Sequence, residues 1–266
     1  MILSIASGKG GVGKSFVTAN LGVTLAKAGF RTLLVDADVK LANLEIILGL
    51  EGKPVTIQHV LSGEASIDDA IYTGPGGVDV MPAGLSVENV TLDVRVMDSI
   101  LAHVLDSYDY DYIIIDAPAG LDAETLVVVT LSEYLLLVTN PELPALADAM
   151  KTKLVSEKIG CPVKGVVVNM VGKSKGELSK QVIERALGRV LAVIPYDKRV
   201  GESISKGIPY VLYDPKSPVT KQFLKLAKSV TGVDVSFKVE GESKFGLLKG
   251  LRLGRRKREE REAEEE

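Results

Sequence analysis

The sequence predicts an α/β fold, a doubly wound and mostly parallel sheet with helices on both faces. Three observations carry that expectation. Runs that are apolar nearly from end to end recur at residues 1–6, 32–35, 112–115, 134–139, 163–168 and 190–194, and a strand without polar alternation is one covered on both faces. Stretches of helical character separate these runs, an alternation that builds a parallel sheet through crossover connections. The first run also empties into a glycine-rich turn from which a helix departs at once. That strand–loop–helix order is where a backbone cradle for anionic oxygens forms.

In chain order, strand 1–6 leads into Gly8, Lys9, Gly10, Gly11, Val12, Gly13, Lys14 and Ser15. The glycines let successive N–H groups point inward, and the helix over 16–28 adds its positive N-terminal end. Lys14 is placed to meet β and γ phosphates, and the Ser15 hydroxyl to ligate Mg²⁺. Strand 32–35 ends on Asp36, Ala37 and Asp38, at the carboxyl edge where open α/β sheets collect ligands. These two carboxylates stand two residues apart at the strand exit, where one can face a metal and the other an attacking water. Residues 42–84 are less regular, with a short helix over 67–71 and a strand over 78–82. A helix over 95–105 precedes strand 112–115, which delivers Asp116 and then Pro118, Ala119 and Gly120; Asp116 stands where a carboxylate holds Mg²⁺. Helix 123–131, strand 134–139, helix 146–159, strand 163–168 ending at Asn169, strand 190–194 ending at Pro195, and helix 219–230 complete the pattern.

Bulk properties narrow the class. The 266 residues suit one large α/β domain with a tail. An apolar content of 46% with 25% charged residues is that of a soluble globular chain. A net charge of -3 argues against a wholly basic nucleic-acid binder. Cys161 is the single cysteine, so no intrachain disulfide forms and a reducing compartment is expected. No run approaches membrane-spanning length, and residues 1–6 lack the basic leader of a signal peptide; a cytoplasmic chain is expected. His59 and His103 fall outside every motif. Composition changes near residue 237, which divides a domain over 1–236 from a tail over 237–266. The tail is basic over 244–258, without one acidic residue, and mostly glutamate over 259–266.

The run from Lys9 to Ser15 resembles the deviant Walker A motif of the MinD/ParA family of P-loop ATPases. Motif order extends the resemblance over residues 1–232, and it implies the P-loop NTPase fold of SIMIBI type, ATP and ADP as ligands, and Mg²⁺. It implies that Lys9 reaches across a dimer interface to the partner's nucleotide, that Asp36 lies near the metal, and that Asp38 stands beside the lytic water. It further implies that Asp116 holds Mg²⁺, that Gly120 brings an N–H to the γ-phosphate, and that Asn169, Pro195 and Asp197 meet adenine. The guanine-reading Asn-Lys-X-Asp signature is replaced by Asn169, Met170, Val171 and Gly172, which favours ATP. Phe16 departs from the family's threonine and loses a hydroxyl contact to the α-phosphate, leaving its backbone N–H. One cysteine cannot supply the ligands of the iron–sulfur relatives.

Within the family, the run Thr139, Asn140, Pro141, Glu142 and the run Pro118, Ala119, Gly120 look like the MinD branch. Residues 244–253 are similar to its short C-terminal membrane-targeting helix. Wound as a helix, Phe245, Leu248 and Leu251 share one side with Leu247 beside them and Leu253 following, while Lys244, Lys249 and Arg252 lie at the interface edge. Basic residues near an anionic leaflet contribute about 1 kcal/mol each, and so short a helix forms on the lipid. The resemblance implies an ATP-dependent homodimer that docks on membrane, hydrolyses ATP to ADP and phosphate when a protein activator or client engages it, and positions the division site or another cell-surface assembly. A ParA-like DNA-segregation ATPase and a placement factor for a motility organelle are the alternatives.

Overall fold

The computed structural model describes residues 1–84 and 92–236, which fall within one unit, Met1–Ser236. The expected tail, with Phe245, Leu247, Leu248, Leu251 and Leu253, lies outside the described residues.

The strands with the most uniform apolar runs form the middle of an eight-stranded sheet. β1 (Ile2–Ala6), β2 (Thr32–Asp36) and β5 (Tyr112–Asp116) are buried at every position. Beyond them run β6 (Tyr134–Thr139), β7 (Val163–Val171) and β8 (Val190–Pro195) on one side, with β4 (Asp79–Met81) and β3 (Tyr72–Thr73) on the other. The order is β3-β4-β2-β5-β1-β6-β7-β8. Every pairing is parallel except β3 with β4. A parallel sheet sends all its strand ends the same way, so the loops after β1, β2, β5, β7 and β8 gather at one edge.

Side-chain alternation divides the core into two layers. Leu33, Val35, Ile113, Ile115, Leu135 and Leu137 join one cluster with Met97, Ile100, Val128, Leu146 and Ile183. These last come from α4 (Val94–Ser107), α5 (Ala123–Thr130), α6 (Leu143–Lys158) and α7 (Lys180–Leu187). On the other face lies α1 (Lys14–Lys27), buried from Phe16 to Leu25 without a polar side. It is enclosed by the sheet, by α2 (Leu44–Leu48), by α9 (Tyr210–Tyr213) and by α10 (Pro218–Thr231). Gly22 makes that embrace possible, since a Cβ there would stand 2.4 Å from Leu34 Cδ2.

Several elements differ from the sequence reading. The helix expected from 146 begins at Leu143, because Pro144 sits in its first turn, where a missing N–H does no harm. β7 continues past 168 to Val171 through a break in register against β8. The helix expected over 67–71 is a single 3₁₀ turn at Asp68–Ala70. α2, α3 (Ile57–Leu61), α7, α8 (Arg199–Ser205) and α9 were not expected. Most are four to seven residues long, too short for a 3.6-residue period to register. Among the described residues no helix is long and apolar enough to cross a membrane.

Candidate functional site

A cleft of about 510 Å³ opens at the carboxyl edge of the sheet. The turn after β1 forms its floor. Gly11 (φ 76°) and Gly13 (φ 92°) adopt left-handed backbone that side chains resist. Gly13 is also the N-cap of α1 and has no side chain to cap it, so the first N–H groups of the helix face the cleft uncapped. Gly10, Gly11, Gly13, Lys14, Ser15 and Phe16 line the cleft. Gly8 lies behind it: a Cβ there would stand 2.2 Å from the Asp148 carbonyl carbon of α6, so this glycine lets the loop rest on that helix. Val12 is buried, and its carbonyl accepts from Asn169 Nδ2 at 2.9 Å.

The two lysines are placed differently. Lys14 is 7% exposed, in the cleft wall. Lys9 turns toward the start of α6, where its Nζ pairs with Glu142 at 3.1 Å and both side chains stay partly exposed.

Three carboxylates gather nearby, Asp116 and Asp38 within reach of Lys14 and Asp36 against Asp116. Asp116 is 1% exposed, and burial raises its pKa to about 6 against the opposing pull of Lys14 and the Ser15 and Thr18 hydroxyls. Its Oδ1 accepts from Thr18 Oγ1 at 3.0 Å, while its Oδ2 is buried with no partner. Asp36, its neighbour in register on β2, is raised well above the usual carboxylate range by burial and then by Asp116. Asp38 is raised by burial and opposed by Lys14; it faces the cleft, with Oδ1 accepting from the Leu41 N–H at 3.2 Å.

An orphaned carboxylate oxygen beside a serine hydroxyl suits Mg²⁺, which takes one or two protein oxygens and completes its shell with phosphate and water. Ser15 and Asp116 fit that requirement. Among the described residues there is no cluster of three or more carboxylate, histidine or cysteine ligands. Asp36, expected near the metal, also has a structural part in the loop. Its two oxygens accept the N–H groups of Asp38 (3.0 Å) and Leu44 (3.2 Å), so its carboxylate anchors the two ends of the loop that carries Asp38. Gly120 (φ 89°), expected to bring an N–H to the γ-phosphate, here donates it to the Ser7 carbonyl at 3.2 Å.

The far end of the cleft is built from β7 and β8. Asn169 and Pro195 line it, and the Asn169 amide braces the glycine-rich turn as well. Met170 follows in left-handed backbone (φ 59°), the sole non-glycine residue so placed among those described. Asp197 borders the cleft, but its carboxylate is fully engaged. Oδ1 accepts from Arg199 N and Nε, Oδ2 from Arg199 Nη2 and Tyr210 Oη. Those bonds hold it far below the usual carboxylate range. It shapes the wall and has little left to offer a base. Phe16 sets its ring edge against Phe223 (5.6 Å) and Tyr210 (6.3 Å), so the departure at this position joins α1 to α9 and α10.

Thr18, Met170, Arg199, Tyr210 and Glu142 were not singled out as site residues from sequence. For Thr18 a signal existed: it stands three residues after Ser15, on the same face of α1.

Comparison with known proteins finds relatives in sequence and in fold. The family model described as ParA, "NUBPL iron-transfer P-loop NTPase", matches residues 1–231. An "uncharacterized ATP-binding protein" of Methanocaldococcus jannaschii is 40% identical over 96% of this chain and 97% of its own length. The crystal structure of the Pyrococcus furiosus cell division ATPase MinD is 40% identical with a TM-score of 0.80, covering 86% of this chain and 97% of that one. The septum site-determining protein MinD of Pyrococcus horikoshii, complexed with Mg-ADP, is 37% identical with a TM-score of 0.80, covering 86% and 95%.

Proposed function

The chain belongs to the ParA family of P-loop NTPases, and from that premise we propose that it binds ATP with Mg²⁺ and hydrolyses it as a MinD-like ATPase. One observation carries the reading: an uncapped helix N-terminus and a buried lysine face the cleft, and Asp116, which feels Lys14 and the Ser15 hydroxyl from behind them, keeps a buried oxygen with no partner. Each of these groups is costly in the absence of an anion with its counter-cation. Phosphoryl transfer asks the protein mainly for positioning and charge stabilisation, which the chain's groups divide among themselves. The glycine-turn amides and Lys14 hold phosphate oxygens. Ser15 and Asp116 would hold Mg²⁺, which supplies charge neutralisation on those oxygens. Asp38 orients the attacking water. The apolar wall formed by Ile46, Ile47, Val200 and Ile204 accepts the flat faces of a base, with Asn169 at its edge. The iron-transfer activity in the family description does not suit these residues: Cys161, the single cysteine, is buried and its thiol is pushed up by burial.

Replacing Lys14 with Ala tests the assignment. ATP and ADP binding, followed by calorimetry, should fall below detection while far-UV circular dichroism stays that of the native fold. Unchanged affinity would contradict the loop assignment.

The reading extends to assembly and membrane. Lys9, next in sequence to the cleft-lining Gly10 and partly exposed in its pair with Glu142, would exchange that partner for the nucleotide of a second copy in an ATP-dependent homodimer. Two copies of the basic, leucine-bearing tail on one dimer would bind an anionic surface far better than one, so that the nucleotide would govern residence at the membrane and the positioning of a client there. Removing residues 244–266 should preserve ATPase activity and abolish ATP-dependent cosedimentation with anionic liposomes. Lipid binding that persists in the truncated chain would reject the tail; cosedimentation with DNA instead would favour the segregation reading.

A further inference from the structure

Helix α1 carries a second hydroxyl one turn beyond Ser15, and it meets the same carboxylate. Thr18 is fully buried, and its Oγ1 lies 3.0 Å from Asp116 Oδ1 and 3.1 Å from the Lys14 carbonyl oxygen. A threonine hydroxyl has one proton to donate, so the two acceptors compete for it. The Lys14 carbonyl is the helical acceptor for the Thr18 N–H, whereas a carboxylate is much the stronger acceptor for the hydroxyl. Asp116 Oδ1 is thereby tied to α1, and Oδ2 remains buried without a partner. The two oxygens of Asp36, by contrast, each already accept an amide, from Asp38 and Leu44.

We propose that Thr18 positions the metal-binding carboxylate: its hydroxyl holds Asp116 Oδ1 on α1 and fixes the orientation in which Oδ2 is offered to a divalent cation beside Ser15. Thr18 touches neither the cation nor the reacting atoms; it acts through Asp116. Outer partners that orient a ligating carboxylate change metal affinity by about 10- to 100-fold when removed. The proposal rests on the reading of Ser15 and Asp116 as the Mg²⁺ groups, and the experiment keeps the two apart.

The test measures binding of ADP to the full chain, first in EDTA and then across a Mg²⁺ titration. Thr18→Val keeps the shape of the side chain and removes the O–H. ADP affinity in EDTA should equal that of the wild type, and the Mg²⁺ concentration giving half of the metal-dependent gain should rise about 10- to 100-fold. Thr18→Ser should return it to near the wild-type value. Thr18→Ala carries the same expectation as valine should the added methyl group disturb folding. An unshifted Mg²⁺ requirement in the valine or alanine variant would overturn the proposal. A parallel loss of affinity with and without Mg²⁺ would also overturn it, by assigning the hydroxyl to the Lys14 carbonyl and the shape of the turn. Wild-type ADP affinity indifferent to Mg²⁺ would instead remove the Ser15 and Asp116 reading, and this proposal with it.

Discussion

Asp38→Asn is expected to lower the ATPase turnover by about 10²- to 10⁴-fold, the range of general acid–base assistance, with ATP still bound. Asp38 faces the cleft and is not part of its floor. Among the described residues the one hydrogen bond its carboxylate accepts is the turn bond from the Leu41 N–H, which an asparagine oxygen also accepts. The change therefore removes charge and basicity and leaves the loop in place. Burial raises the pKa of Asp38, and Lys14 opposes the rise, so activity should fall on acidification at a higher pH than an ordinary carboxylate would give. Single-turnover assays across pH, with nucleotide binding measured alongside, check both parts. Wild-type turnover in the asparagine variant would move the water-orienting role elsewhere.

Asp116→Asn should have opposite effects on stability and on metal response. The native pKa of about 6 lies above the unfolded value of 3.8, so the native state binds the proton more tightly. Stability from this group is present below the unfolded pKa and is lost as pH rises through the native one. At pH 7.5 the wild type therefore carries an ionised, buried carboxylate at a penalty of a few kcal/mol. The asparagine variant is relieved of it, keeps an oxygen for Thr18, and should melt at a higher temperature without nucleotide. That gain should shrink as pH falls from 6 toward 4 and vanish below. Mg²⁺ should then add nothing to the protection that ADP gives. Scanning calorimetry at several pH values decides it. A variant less stable than wild type at pH 7.5, or one still protected by Mg²⁺, would show that Asp116 is not the strained metal group described above.

What the sequence made legible, and what it did not, follows from the range of each interaction. The turn from Gly8 to Ser15 is a local signal, in which left-handed glycines, helix start and lysine all lie within eight residues, and Gly10, Gly11, Gly13, Lys14 and Ser15 line the cleft. The middle strands were equally plain, since burial on both faces leaves an unbroken apolar run. α8 and α9 were not, because the first is mostly polar and the second is four residues long; they are held by the Asp197, Arg199, Tyr210 and Asp214 network, a tertiary contact that no period records. Asp36 shows a third limit. Its residue type and its place at a strand end suit a metal, and only the amides of Asp38 and Leu44 reveal that its carboxylate also ties the loop.

Two backbones touch where α2 ends and α8 ends. A Cβ on Gly49 would stand 2.7 Å from the Gly207 carbonyl oxygen, and one on Gly207 would stand 2.7 Å from the Gly49 Cα. The apolar wall of the cleft is thus hinged on a contact with no side chain in it, and its gauge is set by peptide thickness. Leu41 and Tyr196, exposed at the rim, can be exchanged freely by comparison. Tailoring the width of this cleft for a bulkier nucleotide analogue would have to begin at the rim, since at Gly49 and Gly207 even one methyl group acts as a wedge.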